Sequence, residues 1–126
     1  MQARNHKWYQ TVATENKAIV APVGDAWELS YKDNPTIRLH VGDQSHPAFT
    51  GSYLAGLVLY GTIYKPANLD MAYRGSLSET EGVALQKVAT KALQAAAVQP
   101  TQTAPQTTTP AKPTTTPPTQ PVPQRK

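Results

Sequence analysis

Asp43 and His46, separated by Gln44 and Ser45 and followed at once by Pro47, are the residues of this chain best suited to moving a proton. In a hydrolase triad a carboxylate fixes the imidazole tautomer through the Nδ1 proton, leaving Nε2 to take the proton of a serine hydroxyl. Two intervening residues in a tight turn can bring both side chains to one side, and Pro47 biases His46 toward extended backbone. The plainer alternative is a surface turn stabilised by Asp43, with His46 idle near a helix start. His40, Asp43 and His46 also recur at intervals of three, a set zinc would accept. No residue that would orient such ligands can be picked out, and the spacing is not that of a helical metal motif, so no metal or other cofactor is implied.

The pair lacks an obvious nucleophile. The chain has no cysteine, which removes thiolate chemistry, thiolate metal sites and disulfides together. Ser45 lies inside the loop itself, Ser52 falls in the following helix, and Ser30 reads as a helix-end residue. None occupies the exposed strand-to-helix elbow a nucleophilic serine requires.

The elements around the loop are expected as follows. Trp8, Tyr9, Val12 and Ala13 recur at helical spacing and end at Asn16 and Lys17. Ala18 to Val23 is continuously apolar with β-branched Ile19 and Val20, which suits a buried strand of a parallel sheet. Asp25 is placed to cap a short helix from Ala26 to about Tyr31, Asp33-Asn34-Pro35 makes a turn, and Thr36 to Val41 is extended. A helix from Phe49 to Tyr64 puts Tyr53, Leu54, Leu57, Val58 and Gly61 on one face, with Gly56 and Gly61 suggesting close packing. The last helix opens on a capping box, Ser78 to Glu81, and carries Leu85, Val88, Ala89, Ala92, Leu93 and Ala96 at three- and four-residue intervals. Arg74 and Gly75 lie in the connection before it, where they could line a cleft; Trp8 and Trp27 read as packing anchors.

The run from Ile37 to Tyr64 resembles the C-terminal block of the SGNH/GDSL hydrolase family, whose last motif reads D-x-x-H-P with a glycine five residues after the histidine, here Gly51, and a closing helix. The phrase Ala21 to Trp27 and the final helix, Ser78 to Ala97, are also similar, so the likeness covers about residues 8 to 97. It implies that Asp43 is the acid and His46 the general base of an ester hydrolase, acting on an ester or an acetylated carbohydrate. The family's Gly-Asp-Ser nucleophile block and its glycine and asparagine oxyanion blocks are not found; Gly24-Asp25-Ala26 lies too close to His46 to be the first of them. Ala48 stands where a capping Ser, Thr or Asn often follows the His-Pro pair, a loss of about 1 kcal/mol at that helix start, and His40 replaces what is often an aromatic residue.

These readings predict a partial three-layer α/β fold over residues 1 to 99, with one or two parallel strands and three or four helices. A disordered Thr/Pro/Gln-rich tail over 100 to 126 is expected beyond it. So few strands leave a sheet uncovered, so the body reads as part of a domain whose N-terminal portion is the expected partner. Of the formal charge of +4 over 126 residues, Lys112, Arg125 and Lys126 supply three units, leaving the body near +1. Its scattered Lys and Arg argue against a nucleic-acid partner. No window reaches the length of a membrane span, and the first ten residues lack the apolar core of a signal peptide. The Thr/Pro tail is of the kind that joins secreted hydrolase domains to other modules, a compositional pointer to the cell surface. The rival from another class is a non-catalytic module that kept the closing segment and serves interaction or display.

Overall fold

The computed structural model describes residues 2–98; the Thr/Pro tail and the domain boundary expected at 99 to 100 lie outside the described residues. The described residues form four helices, α1 (Gln2–Asn16), α2 (Val23–Asp33), α3 (Phe49–Tyr64) and α4 (Glu79–Val98). The α3 and α4 helices pack most extensively on each other, α2 lies against both, and α1 packs on α2. Ala26 from α2, Leu54, Leu57 and Val58 from α3, and Leu85, Val88, Ala89 and Ala92 from α4 make the core. Ile37 and Leu39 from the connection after α2, and Leu69 from the one after α3, complete it.

Three helix ends close by recognisable local chemistry. Ser78 Oγ and backbone N–H both donate to Glu81 Oε2, at 2.7 and 3.0 Å, while Glu81 N–H returns a 3.3 Å bond to Ser78 Oγ. Those bonds lower the Glu81 carboxyl below its ordinary value, the Ser78 hydroxyl acting most strongly. At the end of α1, Lys17 turns left-handed with φ 52°. Ala18 N–H then reaches Ala13 O at 2.9 Å and Lys17 N–H reaches Thr14 O at 3.4 Å, the paired bonds of a Schellman motif. Lys65 (φ 47°) closes α3 in the same backbone region, and Pro66 prevents continuation.

The α/β expectation is overturned: among the described residues there is no strand and no sheet, only an isolated antiparallel bridge between His40 and Pro47. Ala18 to Ala21 has no regular secondary structure, and Ile19 is 61% exposed. A strand exists only through the ladder bonds of a neighbour, and no described segment lies alongside to provide them. Chain direction changes early instead, because Val23 N–H bonds Ala21 O at 2.8 Å and α2 begins at Val23, before the expected start at Ala26. Asp25 therefore does not cap that helix. Its carboxylate accepts Gln2 Nε2 at 2.9 Å and lies 2.7 Å from His6 Nδ1, tying α1 to α2.

The expected core face of α3 is present, with Tyr53 at its edge rather than inside it. Gly61 permits the close approach of Leu93 from α4, whereas Gly56 faces open space and packs against nothing. Trp27 is partly buried against the core, but Trp8 is 66% exposed and anchors nothing.

Candidate active site

The loop carrying Asp43 and His46 is a small hairpin whose two ends are tied to the core. Leu39 is fully buried, and its carbonyl accepts Ala48 N–H at 2.8 Å, one residue before α3 begins. Further out, Val41 N–H donates to His46 O at 3.0 Å and Gln44 N–H to Val41 O at 3.0 Å. Gln44 takes the left-handed conformation, φ 56°, that lets the tip reverse within so few residues. Thr50 Oγ1 donates to the Arg38 carbonyl, fastening the first turn of α3 to the strand-like arm.

Gly51 is required for this attachment. A Cβ there would collide with the Leu39 carbonyl oxygen and the indole of Trp27, so the glycine lets α3 press directly against the hairpin's base. Trp27 in turn meets His40 edge to face with ring centroids 4.8 Å apart, and Tyr31 Oη lies 2.6 Å from His40 Nδ1. This Trp27–His40–Tyr31 cluster steadies the arm opposite His46. No sequence signal pointed to it beyond the unusual histidine at position 40.

Asp43 uses both carboxylate oxygens within the loop. Oδ1 accepts the N–H groups of Ser45 and His46 at 2.9 and 3.0 Å, and Oδ2 lies 2.6 Å from His46 Nδ1. The His46 ring bond, followed by the two backbone donors, lowers the Asp43 carboxyl from 3.8 to about 2. An ionised carboxylate only accepts hydrogen bonds, so Nδ1 carries the proton and the neutral ring keeps its lone pair on Nε2. The His46 side chain is 79% exposed, and among the described residues nothing hydrogen-bonds Nε2. The atom that would remove a proton is thus free and outward.

The two residues singled out from sequence therefore touch, with Nδ1 toward the carboxylate and the ring largely exposed. His40 does not join them: its ring is turned to Tyr31 and Trp27, and among the described residues no three metal-ligating side chains are grouped to hold an ion. No serine hydroxyl bonds His46; Ser45 contributes its backbone N–H to Asp43, and Ser30 Oγ is buried in the core without a partner. A surface cleft of about 750 Å³ lies between α2 and α4 around Asp33, Glu79, Lys87 and Lys91, away from the hairpin. The pair stands on open surface.

No family model matches the chain, and no curated protein or solved structure matches it either. No helix among the described residues is long and apolar enough to cross a membrane.

Proposed function

We propose that Asp43 and His46 are the acid and general base of an SGNH-type serine ester hydrolase, and that this chain is the closing segment of that catalytic domain. The observation that carries the reading is the 2.6 Å contact between Asp43 Oδ2 and His46 Nδ1 with Nε2 left open. In the reaction, Nε2 takes the proton of a serine hydroxyl as that oxygen attacks the ester carbonyl, then returns it to the departing alcohol. Water deprotonated by the same nitrogen releases the acyl group and regenerates the serine. The serine and the oxyanion donors come from polypeptide outside this sequence, and the substrate is a simple ester or an acetylated carbohydrate.

Two further features favour an incomplete domain. Leu59, Tyr60, Ile63 and Tyr64 leave an apolar surface on α3, and Trp8, Tyr9 and Val12 leave another on α1. Surfaces of this kind mark contact with something further. The pair also lies in water, where a general base works poorly until the site is closed around it. The same exposed aromatic surfaces favour the second reading, a non-catalytic interaction module.

Turnover of p-nitrophenyl acetate separates the two. The purified chain and its His46→Ala variant are expected to run at background. Joined or co-expressed with the polypeptide encoded immediately upstream, the chain is expected to gain turnover that His46→Ala removes. Gained turnover indifferent to His46, or none with a folded complex, would remove the hydrolase reading in favour of the interaction module.

A further inference from the structure

Helix α3 is apolar on every side, yet only one side seats on the core. No charged side chain stands between Phe49 and Tyr64, and a helix of this kind is ordinarily buried all round. Phe49, Ser52, Gly56, Leu59, Tyr60 and Ile63 are all exposed, Ile63 by 69%. At about 100° per residue these six lie within about 60° of Gly56 around the helix axis, so they form one stripe centred on it. A Cβ at Gly56 would meet nothing within 4 Å. Glycine inside a helix is unfavourable relative to alanine, and nothing among the described residues uses the space this one leaves.

The stripe is matched to itself. When two α3 helices pack antiparallel about a twofold axis through Gly56, positions equally far before and after that residue face each other. Phe49 then meets the partner's Ile63, Ser52 meets the partner's Tyr60, and the two Gly56 residues meet at the centre. The backbones come closest where there is no side chain, and large side chains stand at the ends, where crossing helices diverge. A parallel pair would set Tyr60 on Tyr60 and Ser52 on Ser52, crowding one level and leaving another empty. Antiparallel packing also opposes the two helix dipoles, and with no charge on α3 neither copy repels the other or strips an ion of water. Together with Tyr64, whose ring packs 5.1 Å from that of Tyr60, the stripe exposes on the order of 600 Å² per copy, the lower end of what specific interfaces take from each partner.

We propose that this chain forms a homodimer through α3, two copies crossing antiparallel at Gly56. The dimer does not depend on the hydrolase reading, and the full chain alone tests it. Sedimentation equilibrium across about 1 µM to 1 mM is expected to show monomer and dimer exchanging with a Kd in roughly the micromolar range. Gly56→Gln, whose side chain has open space in the monomer and favours helix, is expected to weaken dimerisation about tenfold or more, while the melting temperature at dilution is kept or raised. The chain has no cysteine, so introduced ones report register. Ser52→Cys mixed with Tyr60→Cys is expected to give a disulfide-linked pair on mild oxidation, whereas Ser52→Cys alone is not. A chain monomeric throughout, association undiminished by Gly56→Gln, or Ser52→Cys linking to itself as readily as to Tyr60→Cys would each overturn the proposal. A monomer that Gly56→Gln destabilises would give the face to residues 99 to 126 instead. A monomer whose Gly56 amide is shielded only by the upstream polypeptide would give it to that polypeptide, removing the dimer and keeping the hydrolase reading.

Discussion

At residue scale the Asp43 carboxylate holds the loop and the imidazole together, and its titration gives the sign of the loop's pH dependence. Its folded value is depressed, from 3.8 to about 2. Its contribution is therefore fully present above the unfolded value of 3.8 and is lost as pH falls toward 2. The Ser45 and His46 amide signals, which report the bonds to Oδ1, are expected to titrate with a midpoint near 2; a midpoint at 3.8 would mean that the turn is not formed. Asp43→Asn keeps an acceptor for the backbone but replaces the charged acceptor at Nδ1. The ring is then expected to lose its preference for the Nδ1–H tautomer, seen as altered His46 ¹⁵N shifts, with little change in the melting temperature. This much was legible in sequence, because D-x-x-H followed by proline encodes both the turn and the ring contact. The Trp27–His40–Tyr31 cluster was not, since rings from α2 and the hairpin meet only through tertiary packing.

At the scale of elements, α3 is where local chemistry and attachment conflict. Ala48 has the extended backbone of an N-cap, φ −74° and ψ 172°, but no side-chain oxygen to receive the helix's first N–H groups. Ala48→Ser is expected to stabilise the fold by about 1 kcal/mol, raising the melting temperature by roughly 4–8 °C in a domain of this size. An unchanged melting temperature would mean that those N–H groups are already satisfied. Gly51→Ala should act oppositely: alanine favours helix by about 1 kcal/mol, but overpacking against Leu39 O and Trp27 costs about 1–3 kcal/mol. Net destabilisation with displaced Asp43 and His46 amide signals is expected, whereas a stabilised variant would show that α3 does not seat on the hairpin's base. The bounds of α3 and α4 were readable because Pro47, the Ser78–Glu81 box and the apolar spacing all agree. The strand expected at Ala18 to Val23 was not, because a β-branched apolar run looks the same whether or not a neighbour exists to pair with it.

For the molecule as a whole, the uneven distribution of packing predicts an uneven stability. Helices α2, α3 and α4 share one core, whereas α1 buries only Ala13 and is otherwise tied by Gln2 and His6 to Asp25. The first residues, Gln2 to Lys7, have no apolar rhythm, so the start of α1 was invisible from sequence; polar contacts to the first turn of α2 hold it. A helix held by so little opens independently of the rest. Amide exchange in α1 is therefore expected to be much faster than in α3 or α4, and Asp25→Ala is expected to bring α1 close to unprotected rates while protection of the core helices persists. Tryptophan quenching reads the same asymmetry from the side chains. Trp8 is 66% exposed and Trp27 is partly buried against the core with its Nε1 inaccessible. Acrylamide should quench the fluorescence lost in Trp8→Phe efficiently, and the remaining Trp27 signal weakly. If α1 and α3 are faces awaiting the rest of a catalytic domain, adding the upstream polypeptide shields Trp8 and slows α1 exchange together. Shielding without slower exchange would place contact on the indole alone, and neither change would mean that α1 is not part of that interface.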